Sequence, residues 1–73
     1  MNKAEFLTEL KSAINREDEV TENMVLLELP EWDSLGIMCI ISMFEERFSI
    51  SLDFSEMEQF KTVKDLMDRA GIA

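Results

Sequence analysis

A chain of 73 residues with a formal charge of −9 and an apolar content of 47% is read as a single domain near the small end of what folds alone. Its apolar residues suit a packed core rather than disorder, and two glycines and one proline favour helices over a turn-rich fold. Sixteen acidic against seven basic residues exclude phosphate-backbone binding, which needs clustered Lys and Arg, and predict steering toward basic surfaces on partner proteins.

Phe6, Leu7, Leu10, Ala13 and Ile14 recur at the three-and-four spacing of one helical face, which predicts a first helix from about Lys3 to Arg16. Lys11 and Arg16 suit the negative end of its dipole, and Glu17-Asp18-Glu19 reads as a solvated break. From Val20 to Glu31 no period is clean. Met24, Val25, Leu26, Leu27 and Leu29 are nevertheless too apolar for a free linker. The segment is therefore expected to pack across the bundle, with Thr21 capping a brief turn. A structured loop of that length is often functional.

Asp33 reads as the N-cap of a second helix from Ser34 to Phe48. Ser49 to Asp53 is a connector in which Ile50 and Leu52 alternate like a strand fragment with no sheet to join. Ser55 to Gln59 suggests a single helical turn. Thr62 then caps a last helix that buries Val63, Leu66, Met67 and Ala70 and stops at Gly71. The expected fold is all-α, a small antiparallel bundle of three main helices plus one short one.

The second helix is apolar over most of its circumference. Leu35, Met38 and Ser42 share one face, and Ile37, Ile40, Ile41 and Phe44 spread over the other. So small a bundle cannot bury it all round, so the Leu35–Met38–Cys39 side is expected to be exposed in part as a partner-binding patch, the other reading being a generously packed core helix. Gly36 in the first turn costs roughly 0.5–1 kcal/mol relative to alanine, and it is read as a place for close approach of a partner or as a local defect. Trp32 reads as a packing anchor for the loop before Ser34. Met24, Met38, Met43, Met57 and Met67 are placed near a soft core. Glu45, Glu46, Asp53, Glu56 and Glu58 form an acidic face with a secondary role in steering.

Chemistry of the chain's own is sparse. With no histidine, Ser-His-Asp and Cys-His arrangements are impossible. A single cysteine, Cys39, excludes ordinary zinc sites and an internal disulfide, and is consistent with a reducing compartment. No glycine-rich phosphate loop or Asp-x-Asp-x-Asp-Gly calcium loop occurs. The longest apolar-rich stretch, Leu35 to Phe44, is half the length of a membrane span, and Met1 to Glu5 lacks the pattern of a signal peptide. A cytoplasmic monomer without membrane insertion is expected, and autonomous catalysis is not.

Ser34 has two readings. One is a first-turn hydroxyl that satisfies an orphan backbone donor. The other is attachment of a phosphate-linked group at the positive end of the helix dipole. Leu29-Pro30-Glu31-Trp32-Asp33-Ser34-Leu35, the apolar helix behind it, Phe44-Glu45-Glu46-Arg47-Phe48 at its end and Thr62-Val63-Lys64-Asp65-Leu66 opening the last helix resemble an acyl carrier protein. The resemblance runs from about Phe6 to Gly71. It implies that Ser34 receives a 4′-phosphopantetheine arm from coenzyme A through a separate phosphopantetheinyl transferase, and that the arm holds an acyl or aminoacyl group as a thioester. Asp33 then presents Ser34 and meets the transferase. Partner enzymes with basic or apolar docking surfaces are expected to contact Leu35, Gly36, Met38, Cys39, Glu45, Glu46, Asp53 and Glu56. Gly36 and Cys39 depart from the acidic residues often found at these positions in fatty-acid carriers. The alternative is a cofactor-free helical interaction module that docks through the Leu35–Phe44 helix.

Overall fold

A computed structural model describes residues 1–72. Helix α1 (Lys3–Ala13) opens on a reciprocal cap. The Glu5 N–H donates to Asn2 Oδ1 at 2.8 Å, and the Asn2 N–H donates to the Glu5 carboxylate at 3.0 Å. Its expected extension to Arg16 does not form, because Asn15 turns left-handed at φ 52° and the Arg16 N–H reaches back to the Lys11 carbonyl at 3.0 Å. Asparagine tolerates this conformation better than most residues, so the helix stops there.

Helix α2 (Ser34–Phe48) has its expected bounds, capped by Asp33 and closed by left-handed Ser49 at φ 56°. Helix α3 (Phe54–Met57) is one turn behind its own cap, Asp53. Helix α4 (Val63–Arg69) starts from Thr62 as expected and ends before Gly71, which has φ 77°. These helices make the expected all-α bundle.

The bundle's centre is aromatic. Phe6 meets Phe44 edge-on at 6.1 Å, and Phe48 lies 6.0 Å from Phe6 and 5.4 Å from Phe44. Leu10, Ile40, Met57, Val63, Leu66 and Met67 close around them. Of the methionines placed near the core, Met43, Met57 and Met67 are buried and Met24 is half-buried. Met38 is not a core residue: 54% of it is exposed, because it lies on the side of α2 opposite Ile40 and Phe44.

The long segment between α1 and α2 packs across the bundle as its composition implies. Val20, Leu26 and Leu29 are buried, and residues Leu26–Glu28 form a 3-10 turn. The Leu26 N–H donates to the Lys61 carbonyl at 2.8 Å and the Val63 N–H to the Met24 carbonyl at 3.0 Å, stitching the loop to the start of α4. The apolar side chains do not all go inward, since Leu27 is 82% exposed.

At that stitch the Asp65 carboxylate accepts the N–H groups of Lys61 at 2.8 Å and Thr62 at 3.1 Å. These bonds, Lys61's first, hold its carboxyl below the ordinary 3.8. A carboxyl of lower pKa in the folded than in the unfolded chain adds stability that is complete above the unfolded value. That stability is lost as pH falls through the folded value. Below about pH 4 the protein is therefore expected to lose stability more steeply than Asp65→Asn, which keeps a side-chain acceptor without the charge. Urea unfolding at successive pH values checks this, and parallel acid limbs contradict it.

Candidate functional site

The loop from Leu29 to Asp33 sets Ser34 in place through a series of short-range contacts. Leu29 is buried, and the Trp32 N–H closes a turn onto its carbonyl at 3.0 Å. Trp32 packs against the core. The Asp33 N–H donates to the Glu31 carbonyl at 2.9 Å. The half-buried Arg16 guanidinium then donates to the Glu31 carboxylate at 2.9 Å, so the residue expected to end α1 instead ties the end of α1 to this loop.

Gly36 is the other half of the junction. A Cβ on Gly36 would sit 1.9 Å from the Glu31 carbonyl oxygen, so the loop backbone crosses α2 where only a glycine leaves room. Gly36 is buried. Its expected place on a partner-binding surface is thus corrected: the close approach it permits is that of its own chain. Its N–H donates to Asp33 Oδ1 at 2.8 Å, which fills the N-cap position.

With Asp33 acting as the cap, Ser34 occupies the first helical position with an exposed side chain. The N–H groups of Ser34 and Leu35 precede the first intrahelical bond of α2 and remain at the positive end of its dipole. An exposed hydroxyl beside free backbone donors fits a phosphodiester. The residues present therefore suit a phosphate-linked group.

A model of the phosphopantetheine attachment site family matches residues 5–70. The chain belongs to this family. It is a phosphopantetheine-bearing carrier protein of the acyl-carrier type, and the family's cofactor is covalently attached 4′-phosphopantetheine. Membership implies dealings with a phosphopantetheinyl transferase and with acyl-handling enzymes. Comparisons with curated proteins and with solved structures found no match. Among the described residues no helix is long and apolar enough to cross a membrane.

On this carrier the outer face of α2 divides into two parts. Leu35 and Met38, 72% and 54% exposed, form an apolar ledge beside Ser34, and Cys39 is half-buried next to them. Glu45 and Glu46 are exposed one to two turns further on. Asp53 and Glu56 have internal work. Asp53 accepts the Glu56 N–H at 2.8 Å as the α3 cap, and Glu56 pairs with Arg69. Five of the seven Lys and Arg residues are held in ion pairs with the protein's own carboxylates, so the field around the molecule is set by the remaining acids.

Alanine normally improves a helix interior over glycine. Here the sign reverses, and Gly36→Ala is expected to destabilise the protein by about 1–3 kcal/mol, the usual range for forcing atoms into filled space. Thermal or urea unfolding measures this directly, and a variant as stable as the parent contradicts the junction described.

Proposed function

We propose that Ser34 is the attachment residue and that the protein is a discrete carrier that delivers its cargo to partner enzymes. The observation that carries this reading is the position of Ser34: first in α2, exposed, and relieved of capping by Asp33. In the attachment step the Ser34 Oγ bonds to the phosphorus that bears the pantetheine ester of coenzyme A. The bond from that phosphorus to the nucleotide phosphate breaks, and the Ser34 proton passes to a base of the transferase. The attached arm ends in a thiol, which holds an acyl or aminoacyl group as a thioester.

The chain's own contribution is placement rather than catalysis. Asp33 fixes the first turn and offers a carboxylate to a basic transferase surface. The surplus of acidic residues steers such partners in, and Leu35 and Met38 give them an apolar contact. An apolar start to the docking helix supports service to a dedicated pathway, such as specialised metabolite or surface-polysaccharide assembly, over general fatty acid synthesis.

Incubation with coenzyme A and a broad-specificity phosphopantetheinyl transferase is expected to add one phosphopantetheine mass increment to the protein and none to Ser34→Ala. Intact-mass measurement decides the matter. A folded parent chain that stays unmodified, or a Ser34→Ala variant that is still modified, overturns the assignment. The first outcome favours a cofactor-free docking module built on the same exposed Leu35 and Met38.

A further inference from the structure

Two open grooves of about 360 and 320 Å³ lie side by side along the seam between α1 and α2, and Ala13, Leu35 and Cys39 line both. The upper one begins at Asp33 and Pro30, beside the attachment residue, and the lower one continues past Ser12, Met38 and Ser42. From Ser34 to Ser42 the path along α2 is about 12 Å, at 1.5 Å per residue. Short side chains among the lining, Ser12 and Ala13 of α1 and Cys39 and Ser42 of α2, leave room along the seam between the longer ones. The bundle's interior, by contrast, is occupied by fully buried Phe6 and Phe44 with Phe48 against them.

We propose that this α1–α2 seam receives the arm and a short acyl cargo, so that the cargo is sheltered on the surface of the bundle rather than inside it. The proposal rests on Ser34 as the attachment residue. Three features select the occupant. The seam is continuous with the start of α2, so a tethered group reaches it by folding over Leu35. Its lining mixes apolar Ala13, Leu35 and Met38 with the hydroxyls of Ser12 and Ser42, which suits an amide-bearing chain ending in an apolar group, and the end far from Ser34 carries Glu46 and the Glu9–Arg47 ion pair at 3.4 Å. Each groove, at about 360 and 320 Å³, lies near the low end of the roughly 300–1,000 Å³ of small-molecule sites, and the arm takes up part of that space, which favours a short cargo over a long one.

The test compares the unmodified protein, the protein carrying phosphopantetheine and the protein loaded from butyryl-coenzyme A. Each state is verified by intact mass and followed by backbone amide chemical shifts. Loading is expected to move the amides of Ala13, Cys39 and Ser42 as well as those next to Ser34. Ser42→Trp, a change at an exposed position that fills the seam from outside, is expected to make hydroxylamine cleavage of the butyryl thioester severalfold faster than in the parent. A mass increment accompanied by shifts confined to residues 33–37, or reaching Ile41 and Leu52 instead, overturns the seam as the site while leaving the attachment intact. Absence of the mass increment overturns the attachment and the seam together.

Discussion

The Glu31 carbonyl lying against Gly36 is the contact on which the working end of this protein depends. It lets a loop cross the first turn of α2 at a distance that no other residue permits. Because the loop crosses there, Asp33 arrives at the N-cap position and Ser34 follows as an exposed first helical residue. Arg16 holds the same loop from the α1 side through the Glu31 carboxylate. The proposed attachment end of α2 is thus fixed by backbone packing and a cap within a few residues of Ser34 and by one half-buried ion pair from Arg16 at the end of α1.

The rest of the molecule divides α2 between a buried side and an exposed one, and the exposed one is the surface proposed for partners. Ile40, Met43 and Phe44 are buried in the core with Phe6 and Leu10 of α1, while Leu35, Met38, Glu45 and Glu46 face outward. A bundle this small cannot bury a helix this apolar all round, so part of its apolar surface stays in water, and exposed apolar surface of this kind is suited to transient docking. The acidic excess adds reach and orientation to that docking, an effect that salt weakens.

Much of this was legible in the sequence because the signals were local. Asp33 and Thr62 are cap residues immediately ahead of apolar periodic runs, and Gly71 follows the last one, so α2 and α4 have the bounds their residues predict. Where a tertiary contact decided the outcome, local reading failed. Gly36 reads as a helix defect, and its necessity comes from a carbonyl five residues upstream. Arg16 reads as a helix-ending cation, but left-handed Asn15 turns the chain and Arg16 finds Glu31. Met38 is the mixed case: composition places it near the core, but its angular position beside Leu35 predicts the exposure it has. Glu56 reads as a surface acid, and its ion pair depends on where α3 sits against Arg69, whereas the Asp53 cap, three residues ahead of Glu56, is a local signal that the acidic run obscures.

The central claim is that Ser34, held at the start of α2 by the Glu31–Gly36 contact and the Asp33 cap, carries the cofactor in the working protein. Peptide mapping by tandem mass spectrometry of the protein purified from its native cell tests it most directly. A phosphopantetheine group on Ser34, with any cargo still attached, is the predicted result. The same group on another serine, such as Ser42, Ser49 or Ser55, or a fully unmodified chain, would contradict the account.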